Sequence, residues 1–275
     1  MNEPLPPLRE VIERYELGAR KSLGQHFLLD LNMTRKIARA ADVCERDFVL
    51  EIGPGPGGLT RALLETGAAV FAIERDGRCV DALSEVQTAF DGKLHIHEGD
   101  ALSANERILL AEKLPVKIVA NLPYNISTEL LLKWLKAGPA LWSVMALMFQ
   151  KEVADRILAA PGGKTYGRLS VIAQALSIPA RAFNLPARAF TPPPKVASSV
   201  VIFHPAKEPF AQIEALEKVT QAAFSQRRKM LRSSLKSLFG ETLNDRLEAS
   251  GVLETQRAEE LTVEQFKTLA RTLQR

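Results

Sequence analysis

Sulfur is scarce in this chain. Only two cysteines, Cys44 and Cys79, stand among 275 residues, and no C-x-x-C spacing joins them. That count supports neither a disulfide framework nor a thiolate zinc site, and a reduced, cytoplasmic setting is the expectation. Long hydrophobic runs are lacking as well. The most apolar stretch, ALWSVMALMF, is about half the length a membrane-spanning helix needs. The opening residues, MNEPLPPLREVIERY, are proline-rich and acidic, which is not the pattern of a signal peptide. There is no internal repeat and no low-complexity tract. The remaining composition, 46% hydrophobic and 25% charged, suits one large domain plus a small one. The formal charge of +4 permits an anionic partner without identifying one.

Short apolar runs alternate with helix-like stretches. FVLEI (48–52), AVFAI (69–73), KLHIH (93–97), VKIVA (116–120) and SVMALMF (143–149) read as strands. Amphipathic segments at 58–66, 80–90 and 127–136 separate them, and Gly67 sits where a helix C-cap belongs. Strand, helix, strand at this regularity predicts an α/β fold with a mostly parallel sheet covered on both faces. ARAFNL and SVVIF are weaker strand signals. Beyond HPAKEPF (204–210) helical periodicity takes over, in ALEKVTQAAF and VEQFKTLARTL. The expected division is an N-terminal extension over 1–40, a Rossmann-like catalytic domain over 41–207 and a small helical domain over 208–275.

In open parallel sheets, ligands sit at the carboxyl ends of the strands. The first strand ends in EIGPGPGG, where Gly53, Gly55, Gly57 and Gly58 form a loop opening a helix. Glycine lets backbone approach a ligand closely. The second strand ends at Glu74, the third leads through EGD to Asp100, and the fourth ends at Asn121. The spacing Gly53-x-Gly55-x-x-Gly58 with an acid about 20 residues on also satisfies the dinucleotide pattern. The conjunction is more informative than the loop: one carboxylate can take two ribose hydroxyls, and a second can accept from an exocyclic adenine amine. Together they describe a nucleoside whose tail lies over the glycine loop.

The fourth strand stops abruptly at VANLPYNIS. Pro123 forbids helix continuation and holds Leu122 extended. Taken alone, NLPY reads equally as a strand-terminating turn with Tyr124 in the core. Phe190 precedes TPPPK, a stiff segment expected to be exposed, so its ring is expected to be presented and not buried. Arg227, Arg228, Lys229, Arg232 and Lys236 form a basic stretch with no acid between Ser225 and Ser237. Such a run is either a solvated helix face or a contact for nucleic-acid backbone. His95 and His97 share a strand face but have no third ligand at metal spacing, so no metal is expected.

The order EIGPGPG, an acidic strand end, GD and NLPY resembles class I S-adenosylmethionine-dependent methyltransferases. KSLGQHFL (21–28), NLPYNIST, KTYGRLSV (164–171), FTPPPKVASSV (190–200) and AFSQRRKML (223–231) narrow the resemblance to the ribosomal RNA adenine N6-dimethyltransferases, bacterial small-subunit type. One departure is His26, where relatives often have Asn. The resemblance implies S-adenosylmethionine as cofactor, bordered by His26, Leu28, Gly53, Gly55, Glu74, Asp100 and Asn121. It implies catalysis by Asn121, Leu122, Pro123 and Tyr124, with Phe190 as the other side of a base sandwich. The adenine N6 amine is a poor nucleophile because its lone pair is delocalised into the ring. The Asn121 side-chain oxygen and the Leu122 carbonyl can accept from the N6 hydrogens and draw that lone pair out of conjugation. The implied substrate is two adjacent adenosines near the 3′ end of small-subunit rRNA in a pre-ribosomal particle, bound by a monomer without metal or membrane. An NAD-dependent oxidoreductase would need a nicotinamide-side catalytic pair that is not found, and would leave NLPY unexplained. A catalytically silent RNA-binding module and a large-subunit methyltransferase of the macrolide-resistance type are the remaining alternatives.

Overall fold

The computed structural model describes residues 5–20, 24–226 and 228–273. Its contacts divide the chain into two compact units, one formed by the chain up to Lys151 with Ala180–His204, the other by Glu152–Pro179 with the chain from Pro205 onward.

The elements of the first unit run α1 (Leu8–Arg14), β1 (Phe27–Leu28), α2 (Leu31–Ala40), β2 (Phe48–Ile52), α3 (Gly58–Leu64), β3 (Ala69–Glu74), α4 (Gly77–Ala89), β4 (Leu94–Glu98), α5 (Glu106–Leu109), β5 (Val116–Ala120), α6 (Ser127–Ala137) and β6 (Trp142–Gln150). After α7 (Lys151–Ile157) and α8 (Arg168–Leu176) come β7 (Ser177–Leu185), β8 (Phe190–Thr191) and β9 (Ser198–Pro205). The large sheet has seven strands in the order β4-β3-β2-β5-β6-β9-β7. The first five are mutually parallel, and β9 runs antiparallel to β6. Parallel strands are covered on both faces, so they read as near-continuous apolar runs, and Val49, Leu50, Val70, Ile118 and Val119 are buried without residue. On one face α2 and α3 contribute Ile37, Ala38, Leu63 and Leu64 to a core with Val49, Val70, Val119, Ala146 and Val200. Asp30 starts α2 by accepting from the amides of Asn32 and Met33.

The second unit continues with α9 (Ile213–Ala223), α10 (Leu231–Ser234), α11 (Lys236–Phe239), α12 (Leu243–Ala249) and α13 (Val263–Thr272). The single boundary expected at 207/208 is corrected: residues 152–179 belong to this unit. The reason is the apolar face of α8, where Val171, Ile172, Ala173 and Leu176 are buried and the helix packs on α9 and α13. The ring of Tyr166 meets Phe224 edge-on at 6.1 Å, and Phe224 stacks on Phe266 at 5.5 Å. Among the described residues, no helix is long and apolar enough to cross a membrane.

A two-stranded sheet closes the first unit. β1 pairs antiparallel with β8, with Phe27 opposite Thr191 and Leu28 opposite Phe190. The β1 strap lies so close to α3 that a Cβ on Gly58 would stand 2.7 Å from the Leu28 carbonyl oxygen and 3.1 Å from Leu8. Gly58→Ala forces backbone apart, and overpacking of this kind costs roughly 1–3 kcal/mol. Urea denaturation measures this, and an unchanged midpoint would show that the strap does not rest on Gly58.

Candidate active site

A cleft of about 1090 Å³, open at its mouth, lies at the carboxyl ends of β2, β3, β4 and β5. His26, Leu28, Gly53, Gly55, Glu74, Asp100, Asn121, Leu122, Pro123 and Tyr124 all line it, so the structure brings together every cofactor-side residue anticipated from sequence, and four of the five catalytic ones. Phe190 is not among its walls.

The β2–α3 loop turns through Gly53 and Gly55 at φ of +64° and +56°, a region costly for any other residue. A Cβ on Gly55 would also press on the Phe27 ring at 3.0 Å. Glu74, at the end of β3, is buried, and burial pushes its carboxyl above the usual range. Three backbone amides oppose that shift: Gly55 donates to Oε2 at 3.0 Å, and Arg75 and Asp76 donate to Oε1 at 2.8 and 2.9 Å. Oε2 therefore keeps a free lone pair, because a carboxylate oxygen can accept twice. The next acid, Asp76, is fastened bidentately by Arg78 at 2.7 and 3.0 Å and receives the Gln25 amide at 3.1 Å, which ties the N-terminal segment to this strand end. Arg78 holds the Asp76 carboxyl down at about 2. Asp100 accepts from the Leu102 amide at 3.0 Å and pairs with Arg75 at 3.1 Å, a partner the sequence reading had not assigned to it.

At the end of β5 the Asn121 amide nitrogen donates to the His26 carbonyl at 3.1 Å. That bond settles which side-chain atom is which, since a carbonyl accepts only, and leaves Oδ1 without a protein donor among the described residues. His26 is committed at both of its ends: its ring Nδ1 donates to the Pro192 carbonyl at 2.8 Å. The departure at His26 thus falls on a residue that serves the cleft through its backbone oxygen and its anchorage to residue 192. The Tyr124 hydroxyl is 2.6 Å from the hydroxyl of fully buried Ser198, on β9, and its ring lies 5.5 Å from the His26 ring at 31°. NLPY is therefore a turn whose aromatic ring is half-buried, fixed at its tip and left facing the cleft.

Phe190 corrects an expectation. Its ring is 2% exposed and packs in the core with Leu28, Leu185 and Val200. Pairing of β8 with β1 turns the side chain inward, although Thr191 and Pro192 beside it are exposed. Two residues went unnoticed in the sequence: Ser198, hidden in an apolar strand, and Glu51, whose signal was a charge inside a run otherwise buried on both faces. The basic stretch is also not one helix face. Arg228 and Lys229 are exposed in a turn, Arg232 on α10 lies 3.8 Å from Glu254, Lys236 opens α11, and Arg227 lies outside the described residues.

The strand order, with a glycine loop flanked by two strand-end carboxylates and a strand-end amide, defines a class I S-adenosylmethionine-dependent methyltransferase. The family model for ribosomal RNA adenine dimethylase matches residues 17–275, and the chain belongs to that family. It is 56% identical over 274 residues to ribosomal RNA small subunit methyltransferase A of Xanthobacter autotrophicus, covering 98% of this chain and 94% of that one. The crystal structure of a dimethyladenosine transferase from Plasmodium falciparum superposes with a TM-score of 0.74 at 27% identity, covering 89% of this chain and 96% of the other. The 23S rRNA methyltransferase ErmE superposes with a TM-score of 0.68 at 25% identity, covering 90% and 100%. S-adenosylmethionine is the methyl donor, and the cleft fits it: glycine backbone for close approach, a free carboxylate lone pair, and an unpartnered buried carboxyl oxygen on Glu51.

The buried ring and the cleft-facing ring separate by experiment. Phe190→Ala removes core packing and is expected to lower stability by roughly 3–5 kcal/mol. Tyr124→Ala, at a half-buried ring, should lower it by less than half as much. Parallel denaturation of both variants checks this, and a Phe190→Ala protein as stable as the parent would return that ring to the surface.

Proposed function

We propose that this enzyme dimethylates N6 of two adjacent adenosines near the 3′ end of 16S rRNA, acting in the cytoplasm as a monomer on a small-subunit precursor particle and contributing to its biogenesis. The name carried by its 56% identical relative supports the small-subunit target. The observation that carries the chemistry is the Asn121 amide held by the His26 carbonyl, which presents Oδ1 to the cleft next to Leu122.

The residue roles follow from that arrangement. Glu74 takes one of the cofactor's ribose hydroxyls with the free lone pair of Oε2, and Asp100 takes the adenine amine once Arg75 shares or leaves Oδ2. Gly53 and Gly55 pass under the chain between them, with Leu28 closing the wall. The cofactor supplies a methyl group on a sulfonium sulfur. Asn121 Oδ1 and the Leu122 carbonyl accept the two N6 hydrogens of the target adenine, so the nitrogen lone pair is released from the ring and aimed outward. Pro123 keeps Leu122 extended. No side-chain base is needed: the nitrogen that gains the methyl group becomes acidic and loses its proton to water, and rate comes from positioning. Tyr124 offers its face to the base, with Ser198 fixing the hydroxyl, and the base leaves its stack to reach it. Phe190 seats the β1 strap that carries His26.

Arg228, Lys229, Arg232 and Lys236, with Arg227, contact RNA phosphates. Arg228 and Lys229 carry most of that role, being exposed in a turn, whereas Arg232 shares its charge with Glu254.

Asn121→Ala is expected to slow single-turnover methylation on the order of 10²-fold, as loss of one preorganised polar contact to a reacting centre does, while RNA and cofactor affinity stay within a few-fold. Near-normal chemistry with weakened RNA binding would remove Asn121 from this role. Replacing Arg228 and Lys229 together should flatten the log–log salt dependence of RNA binding by about 1.5, because each phosphate contact contributes roughly 0.7–0.9. An unchanged slope would make the turn an ordinary solvated surface.

A further inference from the structure

Lys133 lies on α6, the helix that follows the NLPY turn, and its ammonium reaches the loop that carries Asp100. It donates to the carbonyl oxygens of Ala101 at 2.8 Å and Ala104 at 2.6 Å, and it pairs with Glu106 at 2.8 Å. Three donors meet three oxygens, so the ammonium is saturated. Glu106, buried at the start of α5, accepts the Trp134 indole N–H on the same oxygen at 2.9 Å. The next residue, Arg107, donates to the Ala137 carbonyl at 2.9 Å. The loop and the short helix after it are thus fastened to α6 at several points.

What is fastened this way aims a carboxylate. Asp100 Oδ1 accepts from the Leu102 amide at 3.0 Å, and the Asp100 carbonyl accepts from the amides of Ser103 and Ala104 at 3.1 and 2.9 Å. Leu102 stands between the two residues whose carbonyls Lys133 holds, so the amide that orients the carboxylate is fixed from both sides. Ala101 itself lines the cleft. Arg75 touches the Asp100 carboxylate directly, but from a largely exposed side chain. At its other end α6 is tied to the NLPY turn, where Ser127 Oγ donates to the Tyr124 carbonyl at 3.0 Å. Between these ends the helix is seated by Leu130, Leu131, Trp134 and Leu135, all buried. It is a stiff rod with the turn at its start and the Asp100 loop held a little under two turns along.

We propose that Lys133 is a positioning residue for the cofactor. By holding the Asp100 loop to α6, it sets the adenine acceptor at a fixed distance from the NLPY turn. The cleft thereby gains its preference for adenine over a purine that lacks the 6-amino group. This rests on the placement of Asp100 against the adenine amine given above.

Lys133→Met removes all three donors with little change in volume. Calorimetry compares S-adenosylhomocysteine with S-inosylhomocysteine, in which a carbonyl replaces the 6-amino group and has no hydrogen to give Asp100. The parent should bind the adenine ligand about tenfold or more tightly than the inosine one, as a hydrogen bond to a charged group implies. In Lys133→Met the adenine ligand should weaken by roughly tenfold while the inosine ligand stays within about twofold, so the preference collapses. In methylation assays KM for S-adenosylmethionine should rise with kcat near that of the parent. Lys117→Met, which breaks the Lys117–Asp47 pair of 2.9 Å near the start of β5, should leave the preference intact. An unchanged preference in Lys133→Met, equal weakening of both ligands, or the same collapse in Lys117→Met would overturn the proposal. A parent without the preference, or a preference that survives Asp100→Ala, would instead overturn the adenine placement. Should Lys133→Met fail to fold, Lys133→Met/Glu106→Gln leaves no buried charge and keeps an acceptor for Trp134, and the same two ligands decide.

Discussion

Asp100, Glu74, the glycine loop and Asn121 hang from four parallel strand ends, and those ends lie side by side because the order β4-β3-β2-β5 puts them there. A parallel strand buried on both faces can place a polar residue only where its cover stops. Asp100, Glu74, the glycine loop and Asn121 occupy those positions in that order. The cleft's polarity is therefore laid out in sequence along one edge, and a ligand lying across it meets two acids, then bare backbone, then an amide. What makes this edge a site is the β1 strap. It contributes the His26 carbonyl that orients Asn121, it is stapled to residue 192 through the His26 ring, and Gly58 alone lets it approach α3 closely enough.

The strands β2 to β6 were legible in the sequence almost to the residue, since buried parallel strands announce themselves as apolar runs. Glu74, Asp100 and Asn121 were legible with them, as the polar residues that end those runs. The 152–179 segment was not. Its helix α8 is apolar on much of its surface, and nothing local says which unit buries it. Phe190 was misread because the character of TPPPK was extended to its neighbour; a strand alternates sides, so an exposed Thr191 puts Phe190 inward once β1 pairs with it. The basic residues 228–236 were recognised as a group but not as a turn followed by two short helices, because a charge run carries no periodicity to read.

Three carboxyl groups share the cleft, and three ionised acids at such range would repel strongly if each lacked a partner. The protein resolves each one differently. Glu74 receives three backbone amides. Asp100 has one amide and the Arg75 guanidinium. Glu51, the most buried of the three, has no cation beside it, and burial pushes its carboxyl up to about 8 although the Thr60 hydroxyl opposes that shift. The first two still leave an acceptor site toward the cleft, the second lone pair of Glu74 Oε2 and the Asp100 carboxylate that Arg75 shares, and a ligand lying there completes them. A ligand lying along this edge therefore meets two acids that already hold donors of their own and, between them and Asn121, the one strand in this row whose end offers only glycine and proline backbone.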